Sequence, residues 1–422
     1  MADIKQAICY NVVIVMFVVS ITSSAKDRLV LVQAIFRHGD RSPVSTFPND
    51  KHRSYWYRGL GQLTKEGMRQ EYNLGKLFNM RYGEGEFLSS RYINSEIKVT
   101  SSDFDRTLMS AYCVLSGLYP PKGKEQQWNP DLNWQPIPVH TKPQKEDFIF
   151  SLAACPRYQA LVQDYRGENT MSNFVATHQD LVEQIMNISG LSKDSWSNIA
   201  DILYCQYVHN LSLPEWESVL PFNLVTSLRD ESASYFLPTQ ETTKLRGGPL
   251  LKEIIENMKR NLNTDSNRKV YLYSGHDTTL IALMQILNVF DRRHPSYSAC
   301  VIVELWKSGK NEMPFVRILH KNETNNNINI LKIPGCIKDC PFNDFVSILA
   351  NSIPKDIKED CKNENRSSLL GSSIYNNRIG VFVLICIVIL LVIVLAILII
   401  HAYRVSRVTA VYQTVPTEDG YL

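Results

Sequence analysis

Metal-ligand spacing is missing from this chain: its nine histidines are scattered, and neither an H-x-x-E-H nor a doubled C-x-x-C pattern occurs. No metal centre is therefore expected from the sequence. A G-x-x-x-x-G-K-[ST] loop is also absent, which disfavours nucleotide-driven mechanisms. So is an excess of one charge. The 45 Lys and Arg against 42 Asp and Glu leave a net charge of +3, and the two signs are interspersed, so nucleic acid is not expected as a partner. No internal repeat is present. What remains, with 44% hydrophobic and 10% aromatic residues, is an ordinary globular composition that can build a sizeable core.

Long hydrophobic runs occur only at the two ends. Lys5 precedes the apolar stretch from Ile8 to Ile21, and Ser23-Ser24-Ala25 follows with the small residues a signal peptidase reads. Residues 1–25 are accordingly expected to be a signal peptide. From Ile379 to Ile400 the chain is apolar throughout, and at about 1.5 Å per residue such a helix reaches about 33 Å, enough to cross a bilayer. Arg404 and Arg407 follow on the side expected to be cytosolic, while Arg378 on the other flank weakens the bias. The expected organisation is a lumenal domain over 26–361, a stalk over 362–378, a span over 379–400 and a cytosolic tail over 401–422, in type I topology.

Cysteine usage agrees with a lumenal placement. With Cys9 in the signal and Cys386 in the span, the others are Cys113, Cys155, Cys205, Cys300, Cys336, Cys340 and Cys361. Their number is odd, so at least one is unpaired or bonded to another chain, and connectivity stays open at this point. Four N-x-[ST] sequons, at Asn187, Asn210, Asn322 and Asn365, all fall between signal and span and are expected glycosylation sites.

The most informative segment is Arg37-His38-Gly39-Asp40-Arg41-Ser42-Pro43, directly after the apolar run Leu29 to Phe36. That run lacks polar alternation, as a strand buried on both faces does. The heptapeptide sets an imidazole between two guanidiniums, whose fixed planar forks suit phosphate. Five fixed positions of the form R-H-G-x-R-x-P arise by chance in roughly one chain in ten thousand. Two further β-prone runs, Ile97 to Thr100 and Val270 to Tyr273, each lead through a polar loop into a helical pattern. This strand-loop-helix order predicts an α/β fold with a doubly wound, mainly parallel sheet, in which ligands gather at the carboxyl ends of strands.

R-H-G-x-R-x-P after a hydrophobic strand, matched downstream by Ser274-Gly275-His276-Asp277, resembles the histidine acid phosphatases, and more closely their lysosomal and prostatic type. The resemblance runs from about Leu29 to Cys361. It implies a phosphoglycerate-mutase-like sheet with a mostly helical subdomain inserted roughly over 113–267. It implies the bridges Cys155–Cys361, Cys205–Cys300 and Cys336–Cys340, which leave Cys113 free. A homodimer and tartrate-sensitive activity on small phosphate monoesters are further implications, with no cofactor. Leu63-Thr64-Lys65-Glu66-Gly67 is similar to the family's L-T-x-x-G stretch, and reads as a helix whose glycine allows close packing.

Phosphate monoester hydrolysis spreads charge over three equatorial oxygens, so its catalysis is mostly positioning and neutralisation. Arg37, Arg41 and Arg106 are the expected clamp, Arg106 matching the family's phosphate-binding arginine after its own strand. His38 is the expected nucleophile, kept neutral by the guanidiniums around it. His276 is expected to bond a phosphate oxygen, and Asp277 to be a general acid that stays protonated. Asp277 before Thr278-Thr279 also reads as a helix cap. Asp40 and Ser42 are expected to fix the two arginines of the loop. Tyr412-Gln413-Thr414-Val415 in the tail resembles a sorting signal read by an adaptor, with Tyr412 and Val415 as its anchors. Together these features lead to a membrane-anchored acid phosphatase of lysosomes, endosomes or the cell surface. A selective inositol-phosphate or lysophospholipid phosphatase is the alternative within the class, and a catalytically silent receptor ectodomain the alternative outside it.

Overall fold

The computed structural model describes residues 26–83, 87–165, 178–191, 198–211, 214–234, 236–264, 266–322, 327–362, 387–402 and 404. The signal segment, Asn365, most of the stalk, residues 379–386 and the Tyr412–Val415 motif lie outside them. Two compact units are separated at Lys362.

In chain order, the first unit comprises β1 (Arg28–Arg37), α1 (Lys65–Phe78), β2 (Ile97–Ser101), α2 (Asp105–Leu118), α3 (Pro156–Tyr165), α4 (Gln179–Ser189), α5 (Ile199–Val208), α6 (Phe222–Ser234), α7 (Gln240–Asn263), β3 (Val270–Gly275), α8 (Asp277–Ile286), β4 (Cys300–Lys307), β5 (Pro314–Lys321), β6 (Asn329–Leu331), β7 (Cys340–Pro341) and α9 (Phe342–Leu349). The sheet order is β2-β3-β1-β4-β5-β6, with β7 beside β5. Only β1, β2 and β3 run parallel to one another; β4, β5, β6 and β7 pair antiparallel. The sheet is therefore mixed rather than mainly parallel. For β4 and β5 the reason is local: a short turn joins them, and it can reverse a strand but cannot make the long crossover that parallel pairing needs, whereas β4 enters antiparallel beside β1 from a distant part of the chain.

The absence of alternation in β1 follows from helices on both faces. Leu31 and Ile35 pack with α7 and α8 residues such as Leu251, Ile254 and Leu283. Val32, Ala34 and Phe36 pack with Leu74 and Phe78 of α1 and Val114 of α2. Burying each such aliphatic or aromatic side chain contributes roughly 1.5–3 kcal/mol. A third apolar cluster, formed by α4 to α6 with Trp216 and Phe47, gives the helices between β2 and β3 a core of their own.

Disulfides join Cys155 to Cys361 and Cys336 to Cys340. Cys205 and Cys300 are not joined, which corrects the third expected bridge; both are buried free thiols, and Cys113 is a half-buried one in α2. Cys205 on α5 turns toward the Tyr297 hydroxyl, 3.5 Å away, and Arg41. Cys300 instead packs in the apolar layer beneath α1 and α2, so the two sulfurs face different surroundings.

In the second unit, residues 387–402 form a helix with exposed apolar side chains. Among the described residues no helix is long and apolar enough to cross a membrane. Of the sequons, Asn187 and Asn210 are exposed, whereas Asn322 is half-buried and its Oδ1 accepts from the Ser296 backbone amide at 3.0 Å.

Candidate active site

Parallel register brings three strand ends level. Arg37 at the end of β1 lies opposite Gly275 of β3, and Ser101 of β2 opposite Ser274. The loops that leave these strands are stitched to β3 by backbone bonds, His38 N to Gly275 O and Ser102 N to Ser274 O, each 3.0 Å. Arg37, His38, Arg41, Arg106, His276 and Asp277 are thereby gathered where the parallel strands end.

The loop after β1 rests on the start of α1. Thr64 caps that helix by accepting from the Gly67 amide. A Cβ on Gly67 would overlap the backbone of Asp40, and one on Gly39 would overlap Gly67, so the two backbones touch with no side chain between them. Ser42 does hold an arginine, its backbone carbonyl accepting from Arg41 Nη1 at 3.1 Å, whereas Asp40 touches neither. The Asp40 carboxylate accepts from the Thr64 hydroxyl and faces His209 Nε2 at 2.7 Å, and the Ser42 hydroxyl donates to the Gly59 carbonyl. Both side chains anchor the loop, and Ser42 alone also reaches the clamp through its backbone.

Each guanidinium has its own partner. Arg37, fully buried, donates from Nη1 to the Pro295 carbonyl at 2.6 Å, places Nη2 3.0 Å from Asp277 Oδ2 and stacks 4.2 Å over the Tyr297 ring. Arg41 is gripped at both ends by Asp201 of α5. Burial works against the Arg41 charge, and Asp201, Tyr297 and Cys205 together outweigh it, so its pKa is raised. Arg106, near the start of α2, lies 4.7 Å over the Phe104 ring, and burial together with Arg41 lowers its pKa to about 10. The Nε atoms of all three are buried without an acceptor among the described residues. Such donors are costly to leave unpaired, and they suit an incoming anion.

His38 is buried, and its Nδ1 lies 2.8 Å from the Gly39 carbonyl oxygen. A carbonyl only accepts, so this contact places the ring proton on Nδ1 and leaves the Nε2 lone pair free. Burial, then Arg37, Arg106 and Arg41, hold the imidazole well below its usual pKa. His276 is the residue before α8; its Nε2 is 2.9 Å from the Ser102 hydroxyl, and burial with Arg106 brings its pKa down to about 3.

Asp277 is the first residue of α8 and His276 is the cap, so the cap reading falls on the neighbour. Its Oδ1 accepts from the Thr278 amide at 2.7 Å, and its Oδ2 meets both Arg37 and, at 3.3 Å, His294 Nε2. Burial raises its pKa, but Arg37 and His294 outweigh burial and hold it well below the ordinary carboxylate range. In the free protein this group is an ionised carboxylate, not the protonated acid expected from the sequence.

Sequence reasoning missed Asp201, His294 and Tyr297. The first comes from the inserted helices and the others from the loop before β4, and none sits in a local pattern that marks it. No group of three or more metal-ligating side chains occurs among the described residues.

Fold and site define a class: an α/β protein that frames a neutral, buried histidine with arginines where parallel strands end. The chain belongs to the histidine phosphatase superfamily (branch 2), whose family model matches residues 28–321. It is 38% identical over 346 residues to the prostatic acid phosphatase of Rattus norvegicus, covering 79% of this chain and 89% of that protein. It is 38% identical over 344 residues to the lysosomal acid phosphatase of Homo sapiens, covering 79% of this chain and 80% of that one. Among solved structures, the phytase of Hafnia alvei in complex with tartrate matches with a TM-score of 0.60 at 16% identity, over 80% of this chain and 99% of that one. That likeness is one of fold.

Proposed function

We propose that this protein is an acid phosphatase that hydrolyses phosphate monoesters through a phosphohistidine on His38. Arg37, Arg41 and Arg106 bind the phosphate oxygens and neutralise the charge that spreads over them in the transition state. His276 donates to one of those oxygens. His38 Nε2 attacks phosphorus, Asp277 protonates the leaving alcohol, and water then splits the phosphorus–nitrogen bond. The observation that carries the reading is the state of His38, whose Nδ1 is committed to the Gly39 carbonyl and whose Nε2 is free among three guanidiniums. A free imidazole is mostly protonated at about pH 5, whereas burial and the three guanidiniums push this one toward the neutral, nucleophilic form.

The Asp277–Arg37 pair fits the acid role once substrate is considered. A phosphate dianion competes for Arg37, and the carboxyl beside it then gains affinity for a proton. The names of the prostatic and lysosomal relatives support an acid phosphatase. A single-pass anchor over 379–400, a lysosomal or endosomal location, a homodimer and an adaptor at Tyr412 and Val415 belong to the same proposal. The anchor, the location and the adaptor signal rest on the sequence, and the homodimer on the family resemblance.

The test is turnover of a chromogenic phosphate ester at acid pH by the wild type and by His38→Ala. A loss of at least about 1,000-fold in the variant is expected for a missing nucleophile. Equal turnover refutes the mechanism, and no turnover by either protein favours a silent ectodomain. A panel of simple esters, inositol phosphates and lysophospholipids then separates broad from selective activity.

A further inference from the structure

An ionised Asp277 raises the question of where its catalytic proton comes from. The answer lies on the loop before β4. His294 Nε2 is 3.3 Å from Asp277 Oδ2, and its Nδ1 is 3.1 Å from the Pro295 carbonyl oxygen. Nδ1 faces two groups with opposite demands, the Pro295 carbonyl at 3.1 Å, which only accepts, and Arg229 Nη2 at 3.4 Å, which only donates; the shorter contact assigns the proton to Nδ1. Nε2 and Oδ2 would then oppose two lone pairs unless one further proton lies between them. With the proton on nitrogen the pair is imidazolium and carboxylate; with it on oxygen, imidazole and carboxylic acid. Burial and Arg229 lower the His294 pKa more than Asp277 raises it, so the pair takes up this one proton on the acid side of the ordinary imidazole range.

The charged groups around the ring come from three elements. From α6, Arg229 places Nη2 3.4 Å from Nδ1, and Asp230 accepts the His294 backbone N–H at 2.7 Å. From α8 comes Asp277, and from β1 comes Arg37, which donates to the same Pro295 carbonyl at 2.6 Å. On the loop itself Arg293 turns to Asp291. The ring is thus fixed by contacts that also fix Arg37. Its side chain is 12% exposed, which leaves it a route for proton exchange with solvent.

We propose that His294 is a positioning residue that holds Asp277 and keeps its proton in reserve. This rests on the reading of Asp277 as the general acid. When a phosphate dianion draws Arg37 away, the Nε2–H bond breaks, an O–H bond forms on Oδ2, and the imidazolium becomes the neutral Nδ1–H form. Asp277 gives that proton to the leaving oxygen as the ester P–O bond breaks and the His38 Nε2–P bond forms. In the second step water attacks phosphorus and the N–P bond breaks. The proton that water loses passes to Asp277 and back to His294, which restores the starting state.

The experiment compares an alkyl phosphate, whose alcohol needs a proton to leave, with 4-nitrophenyl phosphate, whose phenolate does not. Single-turnover rates are measured from about pH 4 to 7 for the full chain, Asp277→Asn, His294→Gln and His294→Asn. In both His294 variants the preference for the nitrophenyl ester rises about tenfold, and activity on the alkyl ester declines from a lower pH than in the wild type. Asp277→Asn raises that preference by about 100-fold or more. If Asp277→Asn shows the selective loss and the His294 variants slow both esters equally with an unshifted pH profile, His294 is merely structural and the proposal falls alone. If Asp277→Asn also slows both esters equally, the acid role falls and this inference with it. Melting curves with and without inorganic phosphate report whether each variant folds, and either His294 variant suffices.

Discussion

Arg41 and Asp201 meet fork to fork, Nη1 3.0 Å from Oδ2 and Nη2 3.0 Å from Oδ1. The arginine belongs to the loop after β1 and the carboxylate to α5, so a helix inserted between β2 and β3 supplies the counter-charge of a guanidinium at the strand end. Removing the carboxylate leaves Arg41 buried near Arg37 and Arg106 without its main counter-charge. Asp201→Asn is expected to cost about 3 kcal/mol, the low end of the range for breaking a buried pair, since the Asp201 side chain is 26% exposed. Inorganic phosphate, which replaces the lost charge, should raise the melting temperature of the variant more than that of the wild type. An equal phosphate effect on both contradicts this.

Gly67 is expected to tolerate no side chain. Its contact with Asp40 sets the height of the loop that bears His38, and a displacement on the order of 1 Å in such a loop costs about 100-fold in rate. Gly67→Ala should therefore lose turnover while Thr64 still caps α1 and helix content by circular dichroism is kept. Full activity in the variant contradicts the close fit.

Stability should peak in mildly acidic solution. Glu71 of α1 is fully buried, and burial raises its pKa well above the ordinary value of 4.5. Its contribution is present below pH 4.5 and is lost as pH rises toward its folded-state pKa. Asp277 and Asp201 have depressed values, so theirs is present above the ordinary 3.8 and is lost as pH falls below it. Glu71→Gln should match the wild type near the acid end and exceed it as pH rises, by up to about 1.4 kcal/mol per pH unit. Denaturant midpoints across the pH range decide the matter. A constant difference at every pH contradicts it.

The two disulfides should differ in weight. Cys155–Cys361 spans 206 residues and Cys336–Cys340 spans 4, for which chain entropy gives about 5 and about 2 kcal/mol. Replacing Cys155 and Cys361 by Ala should lower the unfolding free energy several kcal/mol more than replacing Cys336 and Cys340. Equal losses contradict the entropic account.

What the sequence made legible was local. Arg37 to Pro43 announced itself because strand, loop and charge lie in one unbroken stretch, and His276-Asp277 because they follow another strand directly. Periodicity showed that β1 is covered on both faces, but it says nothing of strand direction, so the antiparallel half of the sheet was not foreseen. Asp201, His294 and Tyr297 were illegible for a different reason: each reaches the site only through tertiary folding. Asp40 was assigned to the arginines because it stands between them in sequence, whereas the loop turns its carboxylate toward Thr64 and His209. The pairing of Cys205 with Cys300 rests on the family resemblance, which carries no information on which way either side chain faces in this chain.

The central claim is a covalent bond between phosphorus and His38. Rapid quenching of the enzyme during turnover of a phosphorus-labelled ester, followed by digestion and mass spectrometry, reads it directly. The account predicts a label that is stable in base and lost in acid, located on the peptide carrying Arg37-His38-Gly39 and absent from His38→Ala. A label on another residue, or turnover at the wild-type rate with no labelled peptide at any quench time, would contradict it.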